Sequence, residues 1–392
     1  MGNEIITLVK DTSLAFAIDM DRFYLGVLQG CSQLGGAIIR RLVSHFGSGR
    51  QVWQVQAGAL AETGLLRPAV LEEFLLARKQ RPDWPLELEE ICHKKHIHLV
   101  IRENEAYPEL LKEIANPPEV LFYKGSLQNH LPRIAMVGAR RVSAYGRSVA
   151  QQLSASLAQA GFSVVSGAAM GVDACCHEGA LQKGTTEAVL GCGVDVVYPA
   201  SNRHLLAQIE ERGAIISEYL PGAQPIAGNF PARNRIISGM SLGTVVVEAA
   251  QRSGSLITAE MALSEGRDVF AVPGSVFSPV SKGCHRLIQQ GAKLIVDSHD
   301  IIEEYPQFAK KHTNTKNNDE KNKTHAIITE TEKRILQILS VEEPLSVDEV
   351  IYRLHGTKVA NAAFILLQLE LKGLARSDDL RRYVRTVKEG VL

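Results

Sequence analysis

The residues whose types and spacing could do chemistry here are arginines, serines and glycines, and that chemistry is the holding of an anion. In Phe230-Pro231-Ala232-Arg233-Asn234-Arg235 a proline is expected to open a helix. Arg233 and Arg235 would then fall in its first turn, where the helix dipole disfavours cations. The arrangement makes sense if an anion takes the free N–H groups and the guanidiniums together, with Asn234 beside them. A second reading stays open, in which Arg233 or Arg235 pairs with an acid such as Glu218 or Glu248. Arg252-Ser253-Gly254-Ser255 opens another helix; Ser253 or Ser255 caps it, and Gly254 lets a phosphate approach the backbone closely. Phe230 either stacks on a base or packs as a staple before its helix. Asp173 and His177 lie one helical turn apart, but no third ligand or nucleophile is placed with them. Capping and hydrogen bonding in the groove wall are the simpler account, and neither a metal nor a catalytic residue is expected.

These residues need a frame to bring them together. Apolar β-rich runs over 134–137, 163–165, 188–190, 214–216, 244–247, 269–272 and 293–296 alternate with helix-length segments. Continuous apolar runs of this kind indicate a parallel sheet covered on both faces, a doubly wound α/β domain. Candidate strands over 97–101 and 120–123 would extend it. In such sheets ligands bind beyond the carboxyl ends of the strands. Those ends read Gly138-Ala139-Arg140-Arg141, then Ser166-Gly167, Gly191-Cys192-Gly193, Ser217-Glu218, Glu248 and Pro273-Gly274. So many glycines, small hydroxyls and charges on one edge point to an anion groove. The first turn lacks G-x-G-x-x-G, and no G-x-x-x-x-G-K-[ST] occurs. Dinucleotide binding and Walker-type ATP binding are therefore not expected, and no cofactor is assigned.

Composition limits the rest. The chain has 392 residues, 45% hydrophobic and 22% charged, enough for two or three ordinary globular domains. Lys plus Arg and Asp plus Glu are equal at 43 each, so no whole-protein field draws it to nucleic acid, and any anion site must be built from local charge. The six cysteines show no metal-ligand spacing, and no run is long and apolar enough for a bilayer. A reduced, cytoplasmic protein fits best. Residues 310–325 contain no apolar side chain and read as a disordered tether. Prolines near 80–85 mark a softer boundary. The expected division is a helical module over 1–80 of helix-hairpin-helix or SAM-like type, an α/β domain over 85–308, a linker over 309–330 and a winged helix over 331–392. The helical module could hold a phosphate on backbone amides, but packing is the favoured reading. The presumed recognition helix, about 358–372, is mostly apolar, which favours protein contact, while Arg381, Arg382 and Arg385 in the wing keep DNA open.

The middle of the chain resembles the DprA/Smf family throughout. The resemblance is carried by Val137-Gly138-Ala139-Arg140 with Tyr145-Gly146, Ser166-Gly167 through Gly171-x-Asp173 with His177, Tyr198-Pro199, Ser217-Glu218, Phe230-Pro231 with Arg233-Asn234-Arg235, Ser253-Gly254-Ser255 and Pro273-Gly274. It implies an extended Rossmann-like domain that binds single-stranded DNA, protects incoming strands in natural transformation, dimerises and loads the RecA recombinase, with no catalytic reaction. Carried over residue by residue, the groove would comprise Gly138, Arg140, Ser166, Gly167, Phe230, Arg233, Asn234, Arg235, Ser253, Gly254 and Ser255, with Lys183 as a basic rim. One departure is Cys284 after Gly283, where the pattern has Asn. The enzyme alternative is a phosphoribohydrolase of related fold, but its Pro-Gly-Gly-x-Gly-Thr-x-x-Glu loop is not matched at 248–255. A scaffold whose appended domains matter more than its groove is the third reading.

Overall fold

In the computed structural model the described residues are 20–31, 33–308, 329–341, 343–354, 362–378 and 381–386. The expected tether over 310–325, and the Lys358 end of the last long helix, lie outside them.

Short helices come first: α1 (20–30), α2 (Gly36–Phe46), α3 (Gly49–Gln54), α4 (Ala57–Glu62), α5 (Pro68–Gln80) and α6 (Trp84–Lys94). Local signals set their starts. Ser48 accepts the Gln51 N–H to cap α3, and prolines occupy the first turns of α5 and α6, where a missing N–H costs nothing. The α2–α3 hairpin does not present free amides to a phosphate. The Asp21 carboxylate already accepts from Gly49 N at 3.1 Å and Arg50 N at 2.7 Å.

The α/β part follows as β1 (His98–Ile101), α7 (Glu109–Lys112), β2 (Val120–Gly125), β3 (Arg133–Val137), α8 (Ala144–Gln159), β4 (Ser163–Ser166), α9 (Val172–Lys183), β5 (Thr186–Val189), α10 (Arg203–Arg212) and β6 (Ala214–Ser217). Then come α11 (Asn229–Gly239), β7 (Gly243–Val246), α12 (Gly254–Ser264), β8 (Asp268–Ala271), α13 (Lys282–Gln289), β9 (Lys293–Leu294) and α14 (His299–Ile302). Among the described residues the strands form one nine-stranded sheet in the order β1-β2-β6-β5-β4-β3-β7-β8-β9. Pairing is parallel from β6 to β9 and antiparallel for β1 with β2 and β2 with β6. The two early strands thus extend the sheet as expected, but in the opposite direction. Alternate residues of each strand enter different cores. Ile134 and Met136 pack with α8 and α9, whereas Ala135 and Val137 pack with α11, α12 and α13. Beyond β5, the face shared with α8 is covered by α10 and the N-terminal helices, which bury Leu99, Val120 and Phe122 in a core continuous with Leu28, Ile39 and Leu88.

The C-terminal part comprises α15 (Glu330–Ile338), α16 (Val347–Arg353), α17 (Ala362–Leu371) and the ribbon β10 (Ala375–Ser377) with β11 (Tyr383–Arg385). Thr329 with Glu332, and Ser346 with Glu349, form capping boxes that start α15 and α16. This winged helix closes its own core around Ile335, Val350 and Leu366. Phe364 and Leu367 of α17 are half exposed, so the apolar outward surface read from the sequence is present.

Candidate nucleic-acid interface

The chain runs outward from β3 through β4, β5 and β6, then returns across the sheet to place β7 on the other side of β3. The loops after β3 and β7 therefore diverge, and this topological switch point leaves a crevice at the strand ends. A cavity of about 600 Å³ lies there, walled by the β3–α8 loop, the α11 start and the α12 start. Gly138, Arg140, Phe230, Arg233, Asn234, Ser253, Gly254 and Ser255 all line it.

The upper wall is a row of one cation and two rings. The Arg140 guanidinium carbon lies 5.8 Å from the centroid of Phe230, whose ring lies 5.3 Å from that of Tyr198 at an interplanar angle of 32°. Tyr198 is 41% exposed, so its face remains available. Phe230 is the second residue of α11, so it does not precede the helix as a staple; its ring packs on Tyr198 and lines the crevice. Tyr198 and Arg252 were absent from the expected groove residues. The signal for both was local, an aromatic beside Pro199 after a strand end and a cation before the Ser-Gly-Ser cap.

Opposite stands the amino end of α12. Ser253 caps it by accepting from Ser255 N, and the two hydroxyls lie 2.8 Å apart. A Cβ at Gly254 would meet nothing within 4 Å, so the backbone is open to the crevice. Arg252 is exposed beside it, and no acid pairs with Arg140 or Arg252 among the described residues. An anion seated there would meet the helix dipole and the open backbone at Gly254 with Arg252 beside it, while Arg140 stands on the facing wall.

Arg233 has a different task. It is buried at 4% exposure, and its Nη1 donates to the carbonyl oxygens of Gly167, at 3.0 Å, and Val189. Burial pulls its pKa down to about 10, with Asp173 opposing that fall, so it stays charged at neutral pH. Burial in turn pushes the Asp173 carboxyl up, opposed by Arg233 and the Ala169 N–H. Gly167 has to lack a side chain, because a Cβ would lie 2.5 Å from Arg233 Nη2 and 2.7 Å from Asp173 Oδ2. Arg233 thus ties the ends of β4 and β5 to α11 and supplies positive potential from the crevice floor. Ser166 is wholly buried and donates to the Met136 carbonyl at 2.6 Å.

Three expectations need correction. Helix α11 begins at Asn229, two residues before Pro231, because proline is tolerated throughout a first turn. Arg233 and Arg235 therefore lie in the second turn, beyond the amides whose dipole argument singled them out. Arg235 turns away from the crevice to pair with Glu218 at 2.6 Å, while its Nε donates to the Asn116 carbonyl at 3.0 Å. Lys183 ends α9, whose first residue adjoins the crevice, so it is exposed at the opposite edge of the sheet, roughly 16 Å away at 1.5 Å per residue. His177 is buried, with Nδ1 2.6 Å from Thr186 Oγ1, and burial lowers its pKa to about 3. Cys284 is also buried and directs its thiol to the carbonyls of Val246 and Val247.

A family model described as DNA recombination-mediator protein A matches residues 98–306, more than half of the chain. The chain belongs to the DprA/Smf family. Its winged helix is matched separately, over residues 320–379, by the model of the DprA winged helix domain. Protein Smf of Synechocystis is 38% identical over 275 residues, covering 69% of each chain. The DNA processing protein DprA of Streptococcus pneumoniae is 47% identical over 204 residues, 52% of this chain and 72% of that one. The X-ray structure of that pneumococcal protein superposes with a TM-score of 0.61 at 36% identity, covering 73% of this chain and 97% of the other. Among the described residues no helix is long and apolar enough to cross a membrane.

Proposed function

We propose that the crevice binds single-stranded DNA, with a backbone phosphate at the α12 amino end between Arg140 and Arg252 and a base on the Tyr198–Phe230 wall. The observation that carries this reading is an open helix start at the switch point with two cations and two rings facing it. One flexible strand can lower a phosphate between the loops while turning its bases to the rings. A duplex keeps its bases stacked and paired, and so offers the rings nothing. Family membership supports the wider role: a cytoplasmic homodimer that protects incoming strands and hands them to a RecA-type recombinase, without catalysing a reaction. The acid nearest the crevice, Asp173, is engaged by the Ala169 N–H and faces Arg233, which favours binding over hydrolysis. Fluorescence anisotropy of the full chain with single-stranded and duplex oligonucleotides over a salt series tests the reading. Single strands should win at every salt concentration; equal affinity for duplex overturns it.

A further inference from the structure

A second cleft lies on the far side of the β3–α8 loop. Arg140 of this loop lines the crevice, while Val142 and Ala144 line a separate space of about 390 Å³ closed by the wing of the winged helix. Two residues span at most about 7 Å, so the two cavities share one thin wall. Arg147 of α8 enters the second cleft from the sheet domain, and Arg376 and Arg382 enter it from the ribbon. Arg382 is paired with Asp378 at 2.8 Å. Arg147 and Arg376 have no acid partner among the described residues: Arg147 contacts Cys175 Sγ at 3.7 Å, and Arg376 reaches Gln151 Oε1 at 3.4 Å. Gln151 in turn donates to Glu178 at 2.9 Å, so the acid behind this contact reaches the cleft only through an amide. Among the described residues the winged helix and the sheet domain keep separate apolar cores. Asp378 lines the same cleft and neutralises Arg382, which leaves Arg147 and Arg376 facing one another from two separately cored bodies, a repulsion that a further anion between them would relieve.

We propose that this cleft continues the DNA path, so that the phosphodiester backbone of a strand seated in the crevice crosses the β3–α8 loop and runs on between Arg147 and Arg376. The inference rests on the single-strand reading of the crevice and assigns the wing a share of the same strand. Bound DNA would then act as the bridge that holds the winged helix against α8.

Full-chain protein is titrated with oligothymidylates of about 6 and about 20 nucleotides, within and beyond the reach of one compact single-strand site. Arg147→Ala and Arg376→Ala should each weaken the longer oligomer on the order of tenfold. They should also flatten its salt dependence by about 0.7 in log–log slope for each phosphate released. Both should leave the shorter oligomer and the melting temperature unchanged. Loss in Arg376→Ala alone would mean that the wing acts by itself and overturns the shared cleft, as would equal loss for both lengths or no gain from lengthening. If neither oligomer binds the unaltered protein, the crevice reading fails instead.

Discussion

Helices α8 and α12 both start at the carboxyl edge of the sheet, on either side of its switch point, yet their amino ends are finished in opposite ways. At α8 the chain supplies its own anion. Glu248, 2% exposed, accepts from Ser143 N at 3.0 Å and from the Ser143 hydroxyl, and Gly146 is bare where a Cβ would overlap the carboxylate. At α12 no carboxylate of the described residues arrives, and a Cβ at Gly254 would meet nothing within 4 Å. In a dinucleotide-binding fold the start of the first helix is the phosphate seat. Here that seat is filled from within and the anion site moves across the switch point to α12. Asp21 does the same for α3. A helix start on a strand edge is therefore a site only where the protein has not already neutralised it.

The largest effect expected from breaking this contrast is on stability. Glu248→Ala leaves the half-buried N–H and hydroxyl of Ser143 without their acceptor and should cost about 2–4 kcal/mol in urea unfolding. A cost under about 1 kcal/mol would show that the carboxylate is not what finishes α8. Next comes Arg140→Ala, which should weaken single-strand binding roughly 10- to 150-fold, worth about 1.5–3 kcal/mol. The salt slope should flatten by about 0.7 with no change in melting temperature. Arg235→Ala should do the reverse, lowering stability through the lost Glu218 pair while leaving DNA affinity and salt slope intact. Weakened binding with an altered salt slope in Arg235→Ala would return that arginine to the groove.

A pair of glycine substitutions sharpens the contrast further. Gly146→Ala forces a methyl into Glu248 and should destabilise by about 1–3 kcal/mol. Gly254→Ala should leave stability within about 0.5 kcal/mol but lower DNA affinity, since its methyl stands where the phosphate approaches. Calorimetry and anisotropy on the same two proteins would expose any crossing of these outcomes. The last effect is graded with pH and accumulates over several units. His177 is held neutral by burial, its pKa about 3 when folded against about 6.5 unfolded. Below pH 6.5 the unfolded chain binds a proton that the native one refuses, so stability falls with acidification. The slope approaches about 1.4 kcal/mol per pH unit until the folded pKa is reached. His177→Gln should lose one proton of this acid slope in unfolding measured between pH 4 and 7; an unchanged slope would put the titration elsewhere.

The strands and crevice edge were legible in the sequence because continuous apolar runs and the glycines after them are local properties. So was the Ser253 cap. What was not legible depends on partners far along the chain. Glu248 meets Ser143 across 105 positions. The pairing of Arg235 with Glu218 was one of the two readings left open, and only the return of α11 beside the end of β6 decides between them. The start of α11 was misplaced because a proline marks a first turn without fixing its first residue. Lys183 was misassigned because a helix twelve residues long carries its last side chain to the other edge of the sheet. Tyr198 took part in the resemblance, but only the fold shows its ring beside Phe230.

The core that runs from Leu28 through Phe122 to Ile209 has a practical meaning for anyone cutting the gene. Truncation at the proline-flanked turn near Pro82 would take α1 to α5 from the layer that α6 and α10 complete over β1, β2 and β6, and would uncover part of the wholly buried Val120 and Phe122. Such a fragment should be poorly soluble whatever its affinity for DNA. The winged helix, which encloses its own apolar centre, can be removed or transplanted without that penalty.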